Sequence, residues 1–588
     1  MQACDGQKHA RRFRMGALAL SVAVSALLAG CVGGNREDES IAALDTGNGQ
    51  PGVVLGESRS GAFLAGRFAL NQHQPGIASG YLLHALAGDP ENVDLLQRTY
   101  LALAADGRLA DAAVVARQLL RFDGEAIFAA MLVAEQDAKA GKWADAEAQV
   151  AKLPRRGFST FLTPLMMAWS RVGQGKTDAA LDAIRPLAQN SAYATMYDFQ
   201  SALINDLADR RKPAEQNYRA VMSGEGNLAL RAVQAASDFY RRTGQPDKAA
   251  EAVSRYRNQH GDQTSIELTN DLSRPVNNAQ EGLAETLFGA ASSLRQGNSP
   301  ELALIFGRMA LDLRPDFPLC QILVADLMQS MGQLADADAI YAAIPAGSPV
   351  RWSAQLRLAA NLDDMGEVDQ AVQILQALSD AHPERIEGLI VLGDVLRNHQ
   401  RWAEAVPVYD RAITLAGPPS KDQWSLYYFR GMALERSKQW PRAEKDFLHA
   451  LELFPDEPRV LNYLGYSWVD LGMNLEQARK MIEKAVSLRP TDGEIVDSLG
   501  WAHYRLGNFP KAVEALERAV ELHPEDPTIN EHLGDAFWQA GRETEARFQW
   551  KRALSFKPDP DQKQSLEKKL AEGLKKLPSG KPAPVSAQ

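Results

Sequence analysis

Cysteine is nearly absent from this chain. Its 588 residues include only Cys4, Cys31 and Cys320. Cys4 lies in a leader that cleavage would remove, and Cys320 stands alone inside the apolar helical run Leu319-Cys320-Gln321-Ile322-Leu323, as a small core residue. No intramolecular disulfide is therefore available, even in an oxidising compartment. The ten histidines are scattered, with no HExxH and no cysteine pairs, so no metal constellation can be assembled and no cofactor is expected. A nucleophile elbow and a glycine-rich phosphate loop are also missing, which argues against an enzyme. Basic excess is missing too. Net charge is −10, and removing residues 1–30 takes away Lys8, Arg11, Arg12, Arg14 and Asp5, a net +3, leaving −13. Phosphate recognition needs a concentrated basic face, so nucleic acid is not the expected partner.

What is present begins at the N-terminus. Arg11, Arg12 and Arg14 form a basic region, Met15–Leu28 is an apolar-to-small run, and Leu28-Ala29-Gly30-Cys31 follows. This is the layout of a secretory signal, and its end resembles the lipobox of bacterial lipoproteins. The resemblance implies cleavage before Cys31, diacylation of its thiol and stable anchoring by several acyl chains, palmitate among them. A transmembrane anchor would need about 20 apolar residues, and this run falls short. A simple cleaved signal with an incidental cysteine is the remaining alternative. Val32 does not suggest inner-membrane retention, so the expected location is the bacterial outer membrane, lipid-anchored and facing the periplasm.

Between the ends, one alanine position recurs: Ala78, Ala112, Ala146, Ala180, Ala214, Ala249, Ala303, Ala337, Ala371, Ala405, Ala443, Ala478, Ala512 and Ala546. The steps are 34 or 35 residues except for one of 54 and one of 38. Five residues before many of these stands a glycine: Gly107, Gly141, Gly175, Gly244, Gly332, Gly366, Gly507 and Gly541. A glycine can take the left-handed conformation that ends a helix. An alanine early in the next helix lets the two axes approach. The period predicts an array of helix–turn–helix units.

The fullest unit carries Asn530, Leu533-Gly534, Phe537, Gly541, Ala546, Trp550, Ala553 and Pro558. The unit before it has Val496, Leu499-Gly500, His503, Gly507, Ala512, Leu516, Ala519 and Pro524. This grammar resembles the tetratricopeptide repeat (TPR) and covers residues 60–570. The resemblance implies an all-α solenoid, a right-handed superhelix of about 14 repeats. The expected organisation is a lipoprotein signal (1–30), a flexible tether (31–60), an N-terminal array (61–262), a joint (263–283), a C-terminal array (284–572) and a disordered tail (573–588). The joint accounts for the 54-residue step. Ala416-Gly417-Pro418-Pro419-Ser420 lengthens a loop at the 38-residue step.

Such a superhelix would offer one continuous inner groove to a peptide or helix. At the family's inward positions the C-terminal units place Tyr428, Arg436, Asn462, Tyr466, Asp470, Asp497, Trp501, Tyr504, Arg505, Glu531, Asp535 and Trp538. Aromatics mixed with Arg, Asn and carboxylates suit protein recognition, though Trp501 and Trp538 could equally seal neighbouring units. Asn462 and Arg505 stand among carboxylates, which disfavours the carboxylate-gripping mode of chaperone-binding TPRs. The runs Leu461-Asn462-Tyr463-Leu464-Gly465-Tyr466, Asp497-Ser498-Leu499-Gly500-Trp501 and His532-Leu533-Gly534-Asp535 resemble periplasmic TPR lipoproteins that tether a carboxyl-terminal processing protease and its substrates. The expected function is a non-catalytic scaffold or adaptor for other proteins or peptides. An envelope-assembly factor for polysaccharide, pilus or outer-membrane proteins is the alternative.

Overall fold

A computed structural model describes residues 41, 44, 58–224, 228–260, 273–297 and 299–578. Cys31 and the leader lie outside the described residues. Among the described residues there are 29 α-helices and no strand.

They form fourteen antiparallel pairs. Six lie before the joint: α1 (Arg59–Asn71) with α2 (Pro75–Leu86), α3 (Val93–Asp106) with α4 (Leu109–Phe122), α5 (Ile127–Lys139) with α6 (Trp143–Ala151), α7 (Ser159–Gly173) with α8 (Thr177–Ile184), α9 (Ser191–Leu207) with α10 (Arg211–Ser223), and α11 (Leu230–Arg242) with α12 (Pro246–His260). Eight follow: α13 (Ala279–Gln296) with α14 (Pro300–Leu313), α15 (Pro318–Ser330) with α16 (Leu334–Ala343), α17 (Arg351–Asp364) with α18 (Val368–Ala381), α19 (Glu387–Asn398) with α20 (Trp402–Ala416), α21 (Trp424–Arg436) with α22 (Trp440–Leu453), α23 (Pro458–Asp470) with α24 (Leu475–Leu488), α25 (Gly493–Arg505) with α26 (Phe509–Leu522), and α27 (Pro527–Gln539) with α28 (Glu543–Ser555). A single helix, α29 (Pro560–Glu572), closes the array.

The repeat grammar has the expected physical basis. All eight turn glycines adopt positive φ, between 75° and 88°. At four units where the same offset carries another residue the turn keeps its geometry, with His73, Asp209, Gln400 and Lys438 at positive φ; before Ala478 the neighbours Gly472 and Asn474 take positive φ instead of Met473. The turn is thus imposed by packing of the helices it joins, and those four side chains bear its strain. The fourteen register alanines are all buried, none more than 3% exposed. The glycine after the leucine serves close approach: a Cβ on Gly534 would sit 2.5 Å from the Trp550 ring, and one on Gly431 would sit 2.7 Å from Phe447. Caps recur as well, with Asp492, Asp526 and Asp559 each accepting a backbone N–H from the first turn of the helix that follows.

The sequence reading of one continuous groove is corrected at the joint. After α12 the chain folds back, and the pair α13–α14 enters the inner face of the first array. Helix α13 packs on α7 and α9, while α14 packs on α3 and α5. These are the first helices of their units, the ones that would have lined a groove. The contact has the character of a core. Gly282 lies so close to Trp169 that any side chain there would meet the indole. Trp169 Nε1 donates to Gln200 Oε1 at 2.7 Å, and Thr286 Oγ1 donates to the same oxygen at 3.2 Å. Phe306 packs against Phe128 and Phe158, with centroids 6.0 and 5.5 Å away. Asp312 accepts from Gln136 and Lys139, each at 2.7 Å. Glu285, fully buried on α13, is forked by Arg231 Nε at 2.9 and 3.0 Å and approached by Arg314 Nη1 at 3.3 Å. One apolar core therefore runs without interruption from Leu83 to Ala502. The apolar and glycine-bearing face of α13 fits it to this inner face.

A second difference lies at the C-terminus. The tail reading begins at 573, yet residues 573–577 are seated on α27. Trp538 Nε1 donates to the Leu574 carbonyl at 2.6 Å, Gln539 Nε2 to the Lys575 carbonyl at 2.9 Å, and Leu577 N–H to Gln539 Oε1 at 2.9 Å.

Candidate protein-binding face

With α13–α14 inside the first array, the inner face still open belongs to the later units. Its rows come from α19, α21, α23, α25 and α27, the first helix of each pair. The left-handed turns, with side-chain caps from Glu457, Asp492 and Asp526 at the starts of α23, α25 and α27, hold the inward positions in register.

Seven of the twelve sequence-derived residues are consumed by internal structure. Tyr428 is buried beside Tyr463, with centroids 5.9 Å apart, and burial pushes its phenol up to about 12. Asp497 accepts from or pairs with His532 Nδ1 at 2.9 and 3.0 Å. Burial disfavours a charged His532 ring, but Asp497, with Glu531 and Asp535 behind it, outweighs that and raises its pKa. Glu531 and Asp535 receive Lys569 Nζ from α29 at 2.7 and 2.6 Å. Burial raises the Asp535 carboxyl, whereas for Glu531 the Lys569 charge overcomes burial and lowers it. Trp538 lies under the seated tail segment and against Trp550, with centroids 5.4 Å apart. Arg505 is buried and donates to the Asp470 carbonyl at 3.1 Å. Tyr504 is buried beneath Trp501.

The other five stay half-exposed: Arg436, Asn462, Tyr466, Asp470 and Trp501. The structure brings them together on α21, α23 and α25. Tyr466 lies within electrostatic reach of Asp497, Asp470, Arg505 and Arg436, and burial, followed by the two carboxylates, raises its phenol. Trp501 is stacked between Tyr504 and His532, with centroids at 4.6 and 4.1 Å and planes within 16°. The indole is therefore pre-oriented, which lowers the entropy a partner must overcome. Chemically, the face offers a rigid aromatic edge, an amide and charges of both signs, and nothing in it resembles a reacting centre.

Sequence reasoning missed Arg397, half-exposed on α19, whose guanidinium lies 4.4 Å over the Phe429 ring. It occupies the same inward position as Tyr504 three units earlier, so extending the register to α19 finds it.

Comparison with known proteins agrees with this architecture. Residues 356–420 and 498–562 match the family model described as Tetratricopeptide repeat. A TPR repeat-containing protein of Pseudomonas aeruginosa is 32% identical over 160 residues, covering 27% of this chain and 26% of that protein. The match thus spans about a quarter of that relative's length. Among solved structures, the Cut9-Hcn1 hetero-tetramer of APC/C is 16% identical with a TM-score of 0.35, covering 89% of this chain and 97% of that one. Yeast Tom70 is 14% identical with a TM-score of 0.29, covering 88% and 95%. The chain carries tetratricopeptide repeats and has the all-α helical-repeat fold. That fold generally serves as a non-catalytic scaffold for protein interaction.

Proposed function

We propose that the chain is a non-catalytic scaffold lipoprotein of the bacterial envelope, holding partner proteins on the inner face of α19–α25. The observation that carries this reading is the contrast between the two arrays. The first has its inner face filled by α13–α14, the opening pair of the second, whereas the later units leave a pre-oriented aromatic and charged group at Arg436, Asn462, Tyr466, Asp470 and Trp501. Lipidation at Cys31 anchors the chain to the outer membrane, facing the periplasm, a reading supported by the Leu28-Ala29-Gly30-Cys31 run. The likeness of the α23–α27 runs to periplasmic adaptors supports delivery of substrates to a processing protease. Envelope assembly is the competing role.

Affinity capture from envelope extract with the mature chain, compared with Tyr466→Ala plus Trp501→Ala, tests the face. Loss of the captured proteins at unchanged thermal stability supports the reading; unchanged capture refutes it. A protease recovered with its substrate favours delivery, and assembly machinery favours the competing role. Radiolabelled palmitate incorporated by the wild type and absent from Cys31→Ala tests the anchor separately.

A further inference from the structure

The two ends of the solenoid are finished differently. At the C-terminal end, α29 buries Leu566 and turns a side rich in Lys, Glu and Gln to solvent, as terminal repeats must for solubility. At the N-terminal end, α1 buries Ala62, Gly66 and Ala69 against its neighbours and leaves Leu64 and Phe68 exposed at 63% and 66%. These two side chains are four residues apart and so share one helical face. Helix α1 also carries Arg59 and Arg67, both exposed, and no acidic residue, in a chain whose net charge is −10. The nearby Asp94 is paired with Arg98 at 2.8 Å. Moreover, α1 is the first α-helix among the described residues, and 26 residues lie between Cys31 and Ser58.

We propose that α1 docks on the anionic phospholipid surface of the membrane that holds the chain. Leu64 and Phe68 enter the headgroup boundary, Arg67 beside them on the helix meets lipid phosphate, and Arg59, which lies across the helix over Gly88, adds to the positive potential of α1. This rests on the reading of Cys31 as a lipid anchor. Even fully extended, the 26 intervening residues reach no farther than about 90 Å, so docking of α1 on that membrane is an intramolecular event. A face too small to bind membrane alone then suffices to set the orientation of the array. The helix next to the anchor carries the exposed apolar pair and no acidic residue, whereas the helix that closes the far end turns polar side chains to solvent.

The test separates this contact from lipidation. The mature chain with Cys31→Ser and an N-terminal hexahistidine is held on vesicles of equimolar phosphatidylcholine and phosphatidylglycerol doped with nickel-chelating lipid. An environment-sensitive fluorophore is placed at Phe68→Cys, or at Phe548→Cys as a control of similar exposure, 63%. Spin-labelled acyl chains should quench the probe at 68 severalfold more than the probe at 548, and Arg59→Glu plus Arg67→Glu should abolish the difference. Equal quenching at both positions overturns the proposal. So does shielding of position 68 without vesicles, whether concentration-independent (a covering segment of the chain) or concentration-dependent (a second copy). Because the hexahistidine replaces the lipid, a failed palmitate experiment at Cys31 leaves this result readable on its own.

Discussion

Glu285→Ala is the substitution that most directly examines how the first array holds α13–α14. Glu285 is fully buried, and its carboxylate is forked by Arg231 Nε at 2.9 and 3.0 Å and approached by Arg314 at 3.3 Å. Both guanidinium groups also donate to the Pro275 carbonyl, at 3.1 and 2.9 Å, and both lie over the Phe317 ring. Removing the carboxylate leaves Arg231 facing one carbonyl and one ring, and Arg314 with those and only the more distant carboxylates of Glu281 and Asp316, at 4.0 and 3.8 Å. Breaking a buried pair by deleting one partner costs about 3–5 kcal/mol. The three residues tie α11, α13 and the end of α14 together, so the loss should appear as release of α13–α14 from the first array. Urea unfolding followed by tryptophan fluorescence measures it. With a slope of about 3 kcal/mol/M, the midpoint of the affected transition falls by roughly 1–1.7 M. Hydrogen exchange should show α13 amides losing protection while those of α25 keep it. Replacing all three charged residues by Met should recover most of the stability, because the desolvation penalty goes with the charges. A Glu285→Ala protein that unfolds within about 0.5 kcal/mol of wild type would refute the assignment of this triad as the fastening.

Three further outcomes are expected. Burial, with Asp312 beside it, raises the Glu135 carboxyl well above its ordinary value, with Gln136 and Lys139 opposing. Between the unfolded and folded pKa values the native state holds a proton the unfolded chain has lost, so this group's contribution to stability falls as pH rises through that window; Glu135→Gln should flatten that slope in a melting-temperature series. Ending the chain at residue 572 uncovers Trp538, which should red-shift tryptophan emission and lower stability by about 1–2 kcal/mol. Lys438→Gly relieves a side chain held at φ 62° and should raise stability by up to about 1 kcal/mol in thermal melts; a destabilised variant would mean that the turn is not strained.

How much was legible in advance differs between fold and face. The alanine and glycine register located all fourteen pairs, because each unit packs mainly on its neighbours and local rules decide local packing. The inward rows were legible as positions but not as exposures. Asp535 and Trp538 occupy inward positions like Tyr466 and Trp501, yet Lys569 and the Leu574 carbonyl claim them. Whether an inward residue is free depends on which neighbour follows it, and near the end that neighbour is α29 with the segment seated after it.

The sequence by itself determined the repeat, its period, the left-handed turns and the buried alanines, since each follows from contacts within about one period of chain. Only the tertiary structure decided that the first array closes around α13–α14. That decision lies in contacts between residues far apart in the chain: Glu285 with Arg231, Gly282 with Trp169, and Asp312 with Gln136 and Lys139. No period encodes them. They form because α13–α14 bury, against the inner helices α3, α5, α7 and α9, the apolar face that a straight array would have left in water.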